Sequence, residues 1–505
     1  MDWQKWIIGG MPINGKKGEV MNVLFIAAEA APFAKVGGMA DVVGSLPSAL
    51  REAKADARVV LPCYGFIKHD KYKITHLFSY SVVLREGTAD VKVYTTVYDG
   101  VPFYFLQAYP YFGNENTVYT VWDWDSPRFI FFNQIVMGFM WEMGVRFGWF
   151  PDVAHVNDWH TGLVPFLISQ NRNEPRWSKL ASVLSIHNMA YQGDHVGGWL
   201  YQAGVHGRHH PDLVYQNLTD NLLAIALAYS DMISTVSPRY ATEIQYPYMG
   251  YGLDGLLRTR INDLYGILNG IDVKLWNPAT DPDITTHFSV ENVAEKRILN
   301  KRHLQASLGL EVRDDAFLVG IVTRMVWQKG MDLAIPALRR LLAQYDVQLV
   351  ALGTGEPEVE AALRQLEQTY YRNARCKLSY DGAVAQQIYA GCDLFLMPSH
   401  FEPCGTGQMV AMRYGALPLV RETGGLADTV ENYDGDKAER GTGFVFQWEE
   451  SEAVFNTLRW AYATYREKPE AWKRMQKRGM ERDFSWDLSA RQYLEMYHKA
   501  INKKS

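Results

Sequence analysis

The chain has 505 residues, 48% hydrophobic and 21% charged; this excludes a disordered or fibrous polymer and exceeds the length over which one hydrophobic core keeps growing. A formal net charge of −5 without any block of lysine and arginine excludes a nucleic-acid or acidic-membrane footprint, so anion sites must be local. Cys63, Cys376, Cys392 and Cys404 make no CxxC pair and no metal-ligand spacing, which predicts a reducing, cytoplasmic setting.

Residues 1–20 hold lysines but no continuous apolar stretch ahead of a small-residue cleavage site, so they read as an N-terminal extension rather than a secretory leader. Folded structure is expected from Met21. Short apolar runs then alternate with helix-length amphipathic segments: VLFIAAE (23–29), ARVVLP (57–62), DVAHVND (152–158), ASVLSIHN (181–188) and DMISTVS (231–237). Continuous apolar runs mark parallel strands buried on both faces and joined by crossover helices. The most apolar window, 129–144, carries Asn133, Gln134 and Glu142 and is shorter than the roughly 20 residues of a membrane span, which predicts a buried helix and no membrane association.

LWNPATDPD (275–283) packs two prolines among polar residues and reads as a linker. The alternation resumes with AFLVGIVTR (316–324), DVQLVALGTG (346–355), DLFLMPS (393–399) and ALPLVRETGG (416–425). The predicted fold is α/β: two doubly wound, Rossmann-like domains facing across a cleft, the first over 21–275 and the second over 276–480, followed by a terminal segment, 481–505. Ligands of open parallel sheets bind at the carboxyl ends of the strands, so the motifs at those ends carry the functional reading.

KVGGMADV (35–42) and TGGLADTV (423–430) each place a glycine pair after a strand and an Ala-Asp at a helix start. Paired glycines let backbone N–H groups approach an anion at a helix N-terminus, and they also serve a plain strand-to-helix turn. Lys35 precedes the first pair, and the spacing of Arg324 and Lys329 in IVTRMVWQKG lets a guanidinium and an ammonium converge on one diphosphate. GTGEPE (353–358) lacks the third glycine of a dinucleotide fingerprint and no GxxxxGK[ST] occurs, which disfavours hydride transfer and P-loop chemistry. Asp123 and Asp125 in VWDWDS are spaced to hold a divalent metal, but Arg324, Lys329 and Lys35 can neutralise the same charge, so no metal is expected. HVNDWH (155–160) and SIHN (185–188) lie at strand ends without zinc spacing and suit a hydroxyl-rich ligand. The many aromatic residues can stack on sugar faces, but most serve the core.

HFEPCGTGQ (400–408) opens from a strand into a loop and then a helix, and three readings compete there: a redox cysteine, a nucleophilic carboxylate, or an anion cradle. With no resolving cysteine or activating histidine pair nearby, Cys404 reads as a packed or sugar-contacting thiol.

KVGGMADV, HVNDWHTG, SIHNMAYQG, DMISTVSPRYATEI, YGILNGIDVKLWNP, TRMVWQKGMDL, LGTGEPE, EPCG, AMRYGALPLVRETGGLADTV and DFSWDLSA together resemble, in order over about Met21 to Tyr497, the bacterial glycogen synthase and plant starch synthase family. The resemblance implies the GT-B architecture, with the segment 481–505 a helix crossing back to the first domain. It implies retaining transfer of glucose from ADP-glucose to the non-reducing 4-hydroxyl of an α-1,4-glucan such as glycogen, starch or a malto-oligosaccharide. ADP-glucose is then a substrate and no cofactor is expected. Catalytic roles fall to Glu402, Arg324, Lys329, His187 and Asp158: Arg324 and Lys329 would hold the departing ADP, Asp158 and His187 lie near the transferred glucose, and Glu402 would orient its hydroxyls and support positive charge. Lys35, Gly37, Gly38 and Asp41 belong to the donor-phosphate loop. Trp159 and Asn188 shape the pocket, Asn269 and Asp272 form an interdomain wall, and Tyr380 flanks the adenine. Gly353, Cys404, Gly405, Thr423, Gly424 and Gly425 complete the donor side, with amides from Gly405 onward and the helix beginning near Gln408 facing the diphosphate.

The chain departs from the family pattern at KVGG in place of KTGG, at Thr406 for leucine, at Ala224 for lysine, and at QQIYAG, which lacks a histidine. These differences bear on acceptor preference and rate rather than on reaction type. Two other functions compete: a UDP-glucose-dependent glucan or oligosaccharide synthase, and a non-catalytic glucan-binding or priming protein, against which the joint presence of Lys35, Arg324, Lys329 and Glu402 argues.

Overall fold

The computed structural model describes residues 20–435 and 440–504, so the expected N-terminal extension lies, apart from Val20, outside the described residues. The chain divides into two compact units, one running up to Gly270 and regaining the chain from Trp486, the other spanning Ile271–Ser485. The crossings therefore fall at Gly270 and Trp486 rather than at the expected 275 and 481. The Ile271 N–H donates to the Phe484 carbonyl at 2.8 Å, which ties the entry and exit of the second unit together. The proline-rich segment expected as a linker belongs to that unit: Asp281 is buried and accepts a hydrogen bond from the Tyr414 hydroxyl, and Arg413 donates to the Trp276 and Val273 carbonyls.

The first unit is built on a nine-stranded sheet in the order β3-β4-β5-β2-β1-β6-β7-β8-β9. Its strands are β1 (Asn22–Ile26), β2 (Asp56–Pro62), β3 (Thr75–Leu84), β4 (Gly87–Tyr98), β5 (Val101–Ala108), β6 (Val153–Asn157), β7 (Ala181–Ile186), β8 (Met232–Thr235) and β9 (Leu264–Gly266). From β5 to β9 neighbouring strands are parallel, and the apolar residues of β1, β6 and β7 are buried from both sides, as continuous apolar runs require. The edge formed by β3 and β4 is antiparallel and lies outside the run-based expectation. Its signal is alternation: Phe78 and Tyr80 point inward while Val83 is exposed.

The apolar window 129–144 lies inside the helix Trp122–Phe147, whose Phe129, Phe132, Ile135, Val136, Phe139 and Met143 are fully buried. Asp125 at its start accepts the Thr120 N–H and hydroxyl and pairs with Arg128 at 2.9 Å, so its carboxylate serves the helix entry. Among the described residues no helix is long and apolar enough to cross a membrane.

The final helix, Trp486–Asn502, packs on the helix Gly38–Glu52 and on β7. Its Tyr497 hydroxyl meets His155 Nδ1 at 2.7 Å while Ser185 Oγ meets Nε2 at 2.6 Å. His155 is thus a buried structural group.

The second unit carries six parallel strands: β10 (Phe317–Val322), β11 (Val347–Leu352), β12 (Ala374–Lys377), β13 (Leu394–Met397), β14 (Leu417–Arg421) and β15 (Phe444–Phe446). Their order, β12-β11-β10-β13-β14-β15, is the doubly wound 3-2-1-4-5-6 arrangement, with its switch point between β10 and β13. Both units are Rossmann-like, which bears out the expected fold class.

Replacing Tyr497 with Phe should cost about 1 kcal/mol through the lost hydrogen bond to His155, and replacing it with Ala about 3 kcal/mol or more through the added cavity. Chemical denaturation of the three proteins checks the order; a Tyr497→Ala protein as stable as the parent would contradict the packing of this helix.

Candidate functional site

In the first unit the site residues stand at the carboxyl ends of three adjacent strands, β1, β6 and β7. The chain leaving β1 reaches Glu29, a buried acid that accepts the N–H groups of Val36 at 2.6 Å and Gly37 at 2.8 Å, and also the Tyr119 hydroxyl. The glycine loop is therefore ordered by a protein carboxylate. A Cβ built at Gly38 would meet nothing within 4 Å and one at Gly37 only Glu29 Oε1 at 3.9 Å, so protein packing does not dictate either glycine. Lys35 pairs with Asp41 at 2.6 Å, both side chains about half exposed, a contact that holds the ammonium only weakly.

At the end of β6, Asp158 takes a positive φ of 53°, uncommon outside glycine. Its buried carboxylate accepts the His187 N–H at 2.7 Å, which welds the ends of β6 and β7. Burial pushes its carboxyl up to about 7 despite that bond. His187 is pushed down to about 3 by burial, so its ring is neutral near pH 7. Asn157 Nδ2 donates to the Ile26 carbonyl at 3.1 Å, leaving Oδ1 to accept from His187 Nε2 at 2.9 Å. The proton therefore sits on Nε2, and Nδ1 carries the lone pair.

Trp159 is buried among Trp122, Phe129 and His160, with the Gly193 backbone against its ring. Asn188 accepts the Ala190 N–H in a local turn. Asn269 is buried, and among the described residues its Oδ1 finds no hydrogen-bond partner. Asp272 is exposed, belongs to the second unit, and caps the turn at Lys274 and Leu275.

In the second unit the ends of β10 and β13 lie side by side. Lys329, in the short 3-10 turn Trp327–Lys329, reaches Glu402 Oε2 at 2.6 Å, and Ser399 Oγ donates to the same oxygen at 3.1 Å. Glu402 is 7% exposed, so this carboxylate is largely desolvated and held by one cation. Arg324 is exposed and touches Gln328 Oε1 at 3.4 Å.

The glycines here answer to packing. A Cβ at Gly353 (φ 148°) would fall 1.8 Å from the Thr323 carbonyl oxygen, one at Gly424 (φ 43°) 2.0 Å from that of Glu402, and one at Gly425 2.2 Å from that of Cys404. The Gly425 N–H is engaged by the Glu402 and Pro403 carbonyls, both at 3.2 Å. Thr423 is buried, and Gly405 turns the loop at φ 70°. The following helix is Gly407–Arg413, and the Gln408 amide donates back to the Cys404 and Gly405 carbonyls. Cys404 is buried and in no disulfide, whereas Tyr380 is 91% exposed.

The structure thus brings together Asp158 with His187, Lys35 with Asp41, and Lys329 with Glu402, Gly424 and Gly425. Tyr380 is exposed, and Trp159 is buried in the core. Sequence reasoning missed Glu29, Asn157 and Ser399. An acid at the end of a wholly apolar run was the available signal for Glu29. A cavity of about 860 Å³ lined by Glu422, Asp428, Glu431, Trp448 and Arg482 contains none of the predicted residues. Among the described residues no three His, Cys, Asp or Glu side chains gather in a metal-binding group.

Asp158, whose folded pKa is raised, contributes stability at acid pH that is lost as pH climbs towards about 7. His155, His160 and His187, pushed down to about 3, contribute stability above neutral pH that is lost on acidification. The stability of the parent relative to Asp158→Asn should therefore fall between pH 4 and 7; denaturant midpoints across that range check it, and a flat difference would contradict the burial of this acid.

The chain matches the family model for the starch synthase catalytic domain over residues 22–259 and that for glycosyl transferases group 1 over 309–479. It is 40% identical over 494 residues to the glycogen synthase of Syntrophotalea carbinolica, covering 95% of this chain and 99% of the relative. With the glycogen synthase of Gloeobacter violaceus it shares 43% identity over 483 residues, with coverages of 95% and 99%. The catalytic domain of starch synthase IV from Arabidopsis thaliana, bound to ADP and acarbose, superposes with a TM-score of 0.87 at 33% identity over 96% of this chain and 100% of that one. Sucrose-phosphate synthase from Thermosynechococcus elongatus, at 18% identity and a TM-score of 0.60 over 96% and 100%, shares the fold alone. On two matched domain models and about 40% identity along nearly its whole length, the chain belongs to the glycogen and starch synthase family of glycosyltransferases.

Proposed function

We propose that this glycosyltransferase moves glucose from ADP-glucose to the 4-hydroxyl at the non-reducing end of an α-1,4-glucan, with retention at the anomeric carbon. The observation that carries the reading is the desolvated Lys329–Glu402 pair at the switch point of the second sheet, where a ligand of this fold binds. ADP in the Arabidopsis relative supports the adenine nucleotide as leaving group, and acarbose there supports a glucan acceptor.

The C1–O bond breaks with its electron pair moving onto a phosphate oxygen, so the barrier falls mainly by stabilising that charge. Lys329 and Arg324 supply fixed positive charge, and Lys35, in exposed contact with Asp41, a third cation. These cations do the work a divalent metal would otherwise share. Glu402 balances Lys329 in the resting site and supports positive charge growing on the glucosyl ring.

The first unit supplies groups suited to hydroxyls. His187, pushed down to about 3, is too weak a base to take a proton at neutral pH, but its Nδ1 lone pair accepts from a sugar hydroxyl. Asp158, near 7, exists in both protonation states and can donate or accept. The acceptor proton passes to the departing phosphate oxygen as the new C1–O bond forms on the same face, the leaving group itself serving as the base. The four cysteines form no disulfide, which supports a reducing, cytoplasmic compartment.

Transfer of labelled glucose to glycogen, measured from ADP-glucose and UDP-glucose in parallel and with chelator, should show strong incorporation from ADP-glucose alone, undiminished by the chelator. Incorporation only from UDP-glucose would reverse the donor, and none from either with glucan binding intact would favour a binding protein. Glu402→Ala and Lys329→Ala should each lower kcat about a hundredfold or more, and near-parental turnover in both would remove the pair from the chemistry.

A further inference from the structure

One buried histidine lies two residues before Glu402 and takes no part in the transfer chemistry described above. His400 is 5% exposed, and both of its ring nitrogens face carboxylates: Nε2 lies 2.8 Å from Asp332 Oδ1, and Nδ1 meets Glu449 Oε1. Each ring nitrogen thus lies within hydrogen-bond distance of a carboxylate oxygen, and the ring is held between two separate elements of the fold. Its face is covered by Trp327, with ring centroids 4.1 Å apart and planes 12° from parallel. Beneath it Arg421 donates to the Ser399 carbonyl at 2.9 Å and to that of His400, and its guanidinium lies 3.8 Å from Glu449. The charged groups around the ring are therefore Asp332 from the helix Met331–Gln344, Glu449 from the loop after β15, Arg421 from β14, and the Lys329–Glu402 pair itself.

The same residue is stitched to the turn that carries Lys329. The His400 N–H donates to the Gln328 carbonyl at 3.0 Å, and Gln328 Nε2 donates to the Phe401 carbonyl at 3.4 Å. Gly330 closes the turn at φ 68°, where a Cβ would fall 2.0 Å from the Pro398 oxygen. The loop 398–402 and the turn 327–330 thus lie flush, and the ring stack on Trp327 is their outermost fastening.

We infer that His400 is a positioning residue for glucosyl transfer: its ring, clamped between Asp332 and Glu449 and stacked on Trp327, fixes the turn that presents Lys329 to Glu402. Without the ring both carboxylates lose their shared partner, the stack on Trp327 is lost, and the turn loses its support. This rests on the Lys329–Glu402 pair being the leaving-group site.

The test compares His400→Gln and His400→Arg with the parent in ADP-glucose-dependent transfer, after thermal melts have shown which variants fold. His400→Gln should lower kcat about tenfold or more, since small misplacement of a reacting group is costly, and raise the KM for ADP-glucose while leaving that for glycogen unchanged. His400→Arg, whose planar cation can bridge both carboxylates and stack on Trp327, should restore most of the turnover and the parental KM for ADP-glucose. Glu449→Gln, at a half-exposed position, loosens one arm of the same clamp and should raise the KM for ADP-glucose even where the His400 variants do not fold. A His400→Gln enzyme with parental kcat and KM, or a folded His400→Arg enzyme as impaired as His400→Gln, overturns the inference, as does a Glu449→Gln enzyme with parental kinetics. Lys329→Ala and Glu402→Ala run alongside: if they keep parental turnover the transfer-site reading itself fails, and if only they lose it the positioning role fails alone.

Discussion

A parallel strand that ends against its neighbours hands the chain to a loop whose amides and carbonyls still need partners, and nearly every residue of the candidate site stands where that need is met. In the second unit the solution is backbone against backbone. Gly330, Gly353, Gly424 and Gly425 each stand where a Cβ would strike a carbonyl oxygen of another loop. Because the loops touch this closely, a side chain on one reaches the next without spanning open space. Lys329 meets Glu402 for that reason, and the pair is as desolvated as the loops are close.

At the candidate site the two units hold charge differently, and the difference sorts their chemistry. The first buries titratable groups that burial itself discharges: His187 is neutral and Asp158 is poised near neutrality. Neutral donors and acceptors suit hydroxyls, which exchange hydrogen bonds without moving charge. The second unit sets its buried groups against partners of opposite kind, Lys329 against Glu402 and His400 between two carboxylates. Fixed charges in a dry site favour a reaction whose transition state separates charge, as loss of a phosphate leaving group does.

Much of the fold was legible because buried parallel strands write themselves as unbroken apolar runs; VLFI, VAHVN and FLVGIV became β1, β6 and β10. The edge strands β3 and β4 escaped because a half-buried strand alternates, and its apolar residues never form a run. The segment 275–283 read as a linker because its prolines and acids are locally turn-like. Its anchoring by Tyr414 and Arg413 comes from residues more than a hundred positions away, which no local pattern carries. In the site, Lys329 and Glu402 were named separately by charge and context; their 2.6 Å contact is a fact of topology, since β10 and β13 become neighbours only when the chain crosses over. The clamp on His400 was invisible because its two carboxylates come from a helix and from a distant loop.

The two glycine pairs show the limit of motif reading most clearly. KVGG and TGGL look alike, and both precede a helix. At Gly424 and Gly425 the cause is the fold: another backbone already occupies the space a side chain would need, and alanine is forbidden whether or not a ligand ever binds. At Gly37 and Gly38 neither φ nor neighbouring atoms require glycine, and the loop's amides are held by Glu29, an acid that a small change in sequence would remove. A glycine the fold does not need is the more informative one about a ligand. The internal likeness therefore marks a shared way of leaving a strand rather than a repeated binding site, and Cβ clearances separate the two where the letters do not.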